Sequence, residues 1–206
     1  ISLGLVGSEM CIRDRTHTDT DHMGDMLEVA KHFSIKEIYV SKGSLTQSDF
    51  VEKLERMQTR VHAVEVGDKL PIFDGALQVL YPEETGDGSN DDSVVLYGQF
   101  FGTSFLFTGD LEENGEAILM RRFPQLKVDV LKAGHHGSKG SSSPEFLHQL
   151  QPQIALISAG KNNRYKHPHQ ETLDRFENIQ TQIFRTDEQG AIRFSGWDSW
   201  EIETVK

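Results

Sequence analysis

Residues 16–25 read THTDTDHMGD, with His17, Asp19, Asp21, His22 and Asp25 inside ten positions. Carboxylates crowded this closely repel one another. A chain holds them on a solvated loop, or it holds them around a cation. In an extended segment alternate residues point the same way, so His17, Asp19 and Asp21 can converge on one ion. His22, one step further on, points elsewhere and can serve a second. Neutral imidazole suits zinc, manganese or iron, and carboxylates favour harder divalent ions. Two such ions form a clamp for attack of water on a phosphate ester. Asp19, Asp21 or Asp25 can also cap a following helix, but a cap leaves both histidines unexplained. A cation needs further ligands from elsewhere in the chain, and that need restricts the fold.

The remaining sequence alternates short apolar runs with amphipathic segments. Residues 23–33 carry Met26, Leu27, Ala30 and Phe33 at helical spacing, and IKEIYVS then reads as a strand. Phe50, Leu54 and Met57 mark a second helix, with Ser48 or Thr46 as its cap. VHAVEV is a strand, and LPIFDGALQVLY is a hairpin turning at Asp74-Gly75. SVVLYGQF and SFLFTG form another strand pair. Residues 112–123 are a helix, KVDVLKAG a strand, and Ser143-Pro144-Glu145 opens a helix with a cap, a proline and an early acid. QIALISAG is a strand, HQETLDRFENI a helix, and two strands close the chain around Gly190 and GWDSW. Several strands are meander-like, which argues against a simple doubly wound parallel sheet. Two sheets with helices outside them fit better.

Unusual residues fall at strand ends. Asp110 closes SFLFTGD, His135 and His136 close VDVLKAGHHGS, and His167 and His169 follow QIALISAG in NNRYKHPH. Loops at strand ends are where sheet proteins build sites. Asp110 is a natural bridging ligand, because one carboxylate can bind two ions. Other residues have plainer readings. His32, His62 and His148 lie in predicted elements and read as structural or surface residues. GHHGS can be a turn, NDDS can be turn chemistry, and SKGSSS can be either a polar loop or a source of hydroxyls and N–H groups for phosphate.

The chain has 206 residues, enough for one domain with a real core, and a net charge of −11. That charge argues against loose binding of nucleic acid over the whole surface. It leaves room for a nucleic-acid substrate, since bound divalent ions invert the local field. Arg121, Arg122, Lys132, Lys139, Lys161, Arg164 and Lys166 are candidate phosphate contacts. No apolar run reaches the roughly 18 residues that span a bilayer. Residues 5–15, LVGSEMCIRDR, resemble a translated transposase sequencing adapter and hold the single cysteine, Cys11. Residues 1–15 are therefore expected to be non-native, and the native part to lack a cysteine nucleophile or thiolate ligand.

Taken in order, HTDTDHMGD, NDDSVVLYG, SFLFTGDLEENGE, LKAGHHGSKGSSSPEFL and NRYKHPHQETLDRF resemble the metallo-β-lactamase-fold domain of the ComEC family. Those bacterial competence proteins carry DNA across the cytoplasmic membrane. The resemblance implies an α/β chain: a metallo-β-lactamase-like four-layer αβ/βα sandwich, N-terminally truncated, over residues 16–206 with its first strands missing. It implies His17, Asp19, Asp21, His22, Asp110, His135 and His136 as ligands of two divalent ions, manganese or zinc with magnesium as a further option. Either histidine of the 135–136 pair can face the metal. Asp19 stands where most of the superfamily has histidine, which hardens the site. The superfamily's histidine between the first motif and Asp110 has no equivalent, and Asn90 and Ser93 lie in that region.

The mechanism implied is metal-assisted phosphodiester hydrolysis. Asp21 would orient water, and His167 and Lys139 would meet charge on the phosphate. Ser138, Lys139, Asn90, Ser93, Arg164 and His167 are the expected substrate contacts. The substrate would be single- or double-stranded DNA, and the partner the membrane channel region of a full-length protein. The domain would sit outside the cytoplasmic membrane. Two other functions fit the same residues: a stand-alone hydrolase of another phosphodiester or ester, and a non-catalytic metal-stabilised DNA-binding or docking module.

Overall fold

The computed structural model describes residues 11–14, 26–32, 35–72, 75–83, 85–195 and 201–205. By its contacts the chain forms two compact units, residues 1–96 and 97–206.

In the first unit, strands β1 (Cys11–Asp14), β2 (Ile35–Ser41) and β3 (Arg60–Val64) form a parallel sheet in that order. The adapter-like segment thus contributes a strand, with Asp14 beside Tyr39. Helix α1 (Met26–His32) precedes β2, and α2 (Ser48–Met57) connects β2 to β3. Phe50 and Leu54 repeat at helical spacing and are buried with Ile38 and Val40 of β2, and Met57, Ile35 and Val61 pack against them. Burying a side chain of this kind stabilises by roughly 1.5–3 kcal/mol. The cap of α2 is the backbone of Gln47, with no side-chain bond, so neither Ser48 nor Thr46 serves as expected. Strands β4 (Lys69–Ile72) and β5 (Gly75–Tyr81) make the antiparallel hairpin. Its register pairs Ile72 with Gly75, which puts Gly75 in the strand and not in the turn; Asp74 lies outside the described residues.

The NDDS motif forms a short helical turn over Asn90–Asp92. Asp92 is buried and accepts bonds from Ser41 Oγ at 2.6 Å and from the N–H groups of Gly86 and Gly88, both at 3.2 Å. Burial raises the Asp92 pKa against these donors. A Cβ at Gly43 would stand 2.1 Å from Asp92 Oδ2, so glycine is needed at that close approach.

The units divide within β6 (Val95–Phe100). In the second unit the strand order is β6, β7 (Thr103–Phe107), β8 (Val130–Lys132), β9 (Ile154–Ile157) and β10 (Gln182–Arg185). Strands β7 to β10 are parallel neighbours, Phe105 opposite Val130, Val130 opposite Ile154, and Ile154 opposite Gln182. Helices α3 (Glu113–Arg122), α4 (Pro144–Leu150) and α5 (Gln170–Asn178) connect them. The meander expected from sequence holds for the β4–β5 hairpin and for β11 (Ala191–Ser195) with β12 (Glu201–Val205), but β7–β10 follow the parallel, helix-connected plan. Continuous apolar burial explains this: Leu106, Val130, Leu131, Ala155 and Ile157 are all buried, as parallel strands covered by helices require. Leu119, Phe146, Leu147, Leu150 and Phe176 cover them from the helices. Ser143 caps α4 as its sequence predicts, its Oγ accepting the Phe146 N–H, with Pro144 in the first turn. A short helix α6 (Thr186–Gln189), not expected from sequence, separates β10 from β11.

Candidate functional site

Parallel strands bring their C-terminal ends to one edge of a sheet. In the second unit that rule gathers three loops: Asp110 follows β7, His135 and His136 follow β8, and residues 158–169 follow β9. Short bonds fix the first two loops together. His135 N–H donates to Gly109 O at 3.1 Å, and Thr108 Oγ donates to Lys132 O at 3.0 Å. His135, His136 and Gly137 all have positive φ, 44°, 55° and 81°, so the turn is tight and strained at two residues that carry a Cβ.

The tight turn aims two imidazoles at one carboxylate. His136 Nε2 lies 3.5 Å and His135 Nε2 4.0 Å from Asp110 Oδ2, and Asp110 is buried. The other ring nitrogens are engaged behind. His136 Nδ1 donates to Ser158 O at 2.8 Å, and His135 Nδ1 donates to Glu112 Oε1 at 3.1 Å. A carbonyl oxygen can only accept, so the His136 proton sits on Nδ1 and its Nε2 lone pair faces the Asp110 carboxylate. A proton, a cation or the neighbouring Lys132 ammonium relieves the repulsion between them. Histidine ligands commonly donate their distal N–H to a carbonyl or carboxylate in this way. The chemistry of Asp110, His135 and His136 suits a divalent cation whose remaining ligands come from elsewhere in the chain. Among the described residues no group of three or more histidine, cysteine or acidic side chains is placed to hold a metal ion. His17, Asp19, Asp21 and His22 lie outside the described residues.

His167 joins from the third loop. Its ring centroid is 5.5 Å from that of His135 and 6.3 Å from that of His136, and 4.8 Å from that of His169. Asn163 holds it, accepting the His167 N–H at 3.0 Å and donating to its carbonyl at 2.6 Å. Burial, and then the charges of His169, His135 and His136, push the His167 imidazole down to about 4, so it is neutral at neutral pH.

The last three serines of SKGSSS are built into the structure. Ser141, Ser142 and Ser143 are buried. The N–H groups of Ser142 and Ser143 donate to the Glu116 carboxylate at 2.5 and 2.9 Å, and Ser141 Oγ donates to Gly134 O at 2.7 Å. Ser138 Oγ accepts the Gly140 N–H, while exposed Lys139 donates its own N–H to His169 Nδ1 at 3.1 Å. Lys132 is not a phosphate contact. It is buried, donates to Gly109 O at 2.9 Å and lies 3.9 Å from Asp110 Oδ1. Its place in the β8 strand turns it inward, where the ammonium offsets a buried carboxylate. Arg164 is exposed and stacks on Tyr165, and Arg121 and Arg122 sit in the last turn of α3. Asn90 and Ser93 belong to the first unit, where Ser93 is buried and donates its N–H to Asn90 O at 3.1 Å.

Glu112, Ser158 and Asn163 support the site without having been singled out from sequence. Glu112 had a signal, two places after Asp110 at a strand end; Ser158 acts through its carbonyl, which no residue type announces.

The sequence profile of the metallo-beta-lactamase superfamily matches residues 16–161. ComE operon protein 3 of Bacillus subtilis is 43% identical over 183 residues, which is 87% of this chain and 24% of that protein. Competence protein ComA of Neisseria gonorrhoeae is 38% identical over 184 residues, again 87% of this chain and 24% of that protein. Recombination protein 2 of Haemophilus influenzae is 34% identical over 131 residues, 63% of this chain and 16% of that protein. The chain thus spans about a quarter or less of the length of these relatives. Among solved structures, the metallo-beta-lactamase fold protein YhfI of Bacillus subtilis superposes with a TM-score of 0.55 at 10% identity, over 85% of this chain and 74% of that one, which shows the fold. The chain belongs to the metallo-beta-lactamase superfamily, as a domain of the ComEC type.

Proposed function

We propose that this domain hydrolyses phosphodiester bonds of DNA with the help of divalent ions, as part of a DNA-uptake protein. The observation that carries the reading is the convergence of His135 Nε2 and His136 Nε2 on the buried Asp110 carboxylate. The ions would be held by Asp110, His135 and His136, with His17, Asp19, Asp21 and His22 as the further ligands. Manganese or zinc suits this mixed set, and Asp19 in place of a histidine moves it towards harder ions, magnesium included. When bound, such ions supply Lewis acidity towards a phosphoryl oxygen and lower the pKa of water.

The chain's own residues do the rest. His167, neutral at neutral pH, offers a ring N–H to a phosphate oxygen. Exposed Lys139 and Arg164 offer charge to the same group or its neighbours. Asp21 orients the attacking water. The uptake role rests on the competence name of ComA and on the ComEC type of the domain. No described helix is long and apolar enough to cross a membrane, which is compatible with a domain lying beside a membrane channel formed elsewhere in a longer protein, on the outer face.

The test is a nuclease assay with added manganese on wild type, Asp21→Ala and Asp110→Ala. Loss of a ligand or a water-orienting group raises the barrier by several kcal/mol, so each variant should lose at least ~100-fold. Near-wild-type rates in both variants would reject the site.

A further inference from the structure

Among the described residues only a few large apolar side chains are substantially exposed, and one of them, Tyr165, stands next to the candidate site. Tyr165 is 51% exposed, yet its ring is held. One neighbour is His167, at a centroid distance of 5.7 Å and an interplanar angle of 23°. His167 in turn is stacked on His136 at 6.3 Å and 20°. The rings of Tyr165, His167 and His136 thus lead stepwise from solvent to the nitrogen that faces Asp110. Arg164 lies over the Tyr165 ring, its guanidinium carbon 4.6 Å from the centroid.

The loop beneath is built to present this residue. Asn163 Nδ2 donates to both Gly160 O and His167 O, Asn163 Oδ1 accepts the His167 N–H, and Asn163 O accepts the Lys166 N–H. Asn162 and Lys166 sit at φ of 56° and 60° on either side. Backbone held in the left-handed region costs energy and persists where the surroundings dictate it. Here it holds Tyr165 outward, beside the His167 ring. The loop is cationic as well, with Lys161, Arg164 and Lys166 all exposed.

An exposed aromatic ring on a fixed, cationic loop is the arrangement by which proteins hold unpaired nucleobases: the ring stacks on the base and the cations meet the backbone. Bases inside a duplex present no face to it. We propose that Tyr165 is a stacking platform for an unpaired nucleobase adjoining the scissile phosphate, and that it selects single-stranded over duplex DNA. Arg164 leaves the ring for a phosphate of the same strand when the base arrives. The proposal rests on the reading of the site as a DNA phosphodiesterase, so binding and cleavage are measured separately.

Binding is followed by fluorescence anisotropy in EDTA, using an octathymidylate and an abasic chain of the same length. Wild type should prefer the chain with bases by ~5- to 100-fold, as one stacked base provides. Tyr165→Leu keeps an apolar cover over His167 but has no aromatic face, and should abolish that preference; Tyr165→Trp should retain it. Arg164→Ala should weaken both chains alike. An equal affinity of wild type for the two chains, or an unchanged preference in Tyr165→Leu, overturns the proposal. With manganese added, wild type should cut single strands faster than duplex, and Tyr165→Leu should lose that ratio. If base preference depends on Tyr165 while wild type cuts nothing, the platform stands and the hydrolytic reading falls. If wild type cuts and the ratio is untouched in Tyr165→Leu, the reverse holds.

Discussion

At the scale of single residues, Glu116 carries an unusual burden. Its carboxyl is 1% exposed and accepts two backbone N–H groups from the serine segment, which is tied in turn to the histidine turn through Ser141 Oγ and Gly134 O. Burial drives its pKa from the ordinary 4.5 up to about 7, against the pull of the Ser143 and Ser142 donors, and nearby Glu113 adds to the rise. The folded chain therefore holds this proton more tightly than the unfolded chain. The stabilisation is complete below about pH 4.5 and is lost as pH rises through 7. A rise of that size corresponds to ~3 kcal/mol. Glu116→Gln keeps the shape and one acceptor and cannot ionise. Denaturant melts of wild type and Glu116→Gln should thus converge or cross as pH goes from 4.5 to 8, wild type losing ~3 kcal/mol relative to the variant. A difference that stays flat across that window would show that Glu116 is charged throughout.

At the scale of elements, the turn Gly134–Gly137 decides whether the site exists. Gly137 has φ of 81°, and a Cβ there would meet Pro168 Cβ at 2.6 Å, so the turn and the His167 loop pack closely at this glycine. Their bond, His169 N–H to Gly137 O at 3.0 Å, needs that approach. Gly137→Ala combines a left-handed residue bearing a Cβ with a clash, an expected cost of about 2–4 kcal/mol, and it moves His167 away from His135 and His136. Denaturation and cleavage should both register it; a variant within ~0.5 kcal/mol of wild type would mean that the contact is slack. The sequence makes parts of this region legible for local reasons. Ser143-Pro144-Glu145 spells out a helix start in adjacent residues, and it is one. Asp110, His135, His136 and His167 are recognisable as polar residues closing apolar runs, and the parallel strands bring them to one edge. What depends on distant contacts is hidden. Nothing in the letters says that two histidines adopt left-handed backbone, that Lys132 faces inward to offset Asp110, or that the serines spend their N–H groups on Glu116. A charged residue reads as exposed until its strand register is known.

At the scale of the whole molecule, the net charge of −11 sets the energetic problem and suggests its solution. Folding gathers Asp110 beside His135 and His136, with Glu112 behind His135 and Lys132 near Asp110, in a chain already repelling itself. The family match across residues 16–161 gives the overall architecture, and a cation at Asp110 is the proposal that the residue types there support. Ions that bind the folded chain and not the unfolded one stabilise it by mass action, by ~2.7 kcal/mol at a hundred times the dissociation constant. For a chain of this length that amounts to a rise in Tm of ~5–10 °C. Scanning calorimetry with manganese, against EDTA at matched ionic strength, should show this rise in wild type. Asp110→Ala should lose most of it, because the shared ligand is gone, and Glu116→Gln, which touches no metal-facing atom, should keep it. Matched ionic strength matters, since simple screening of surface repulsion also stabilises an acidic chain and would raise all three melting temperatures together. Equal rises in wild type and Asp110→Ala would therefore assign the effect to screening and remove the cation from the Asp110 site.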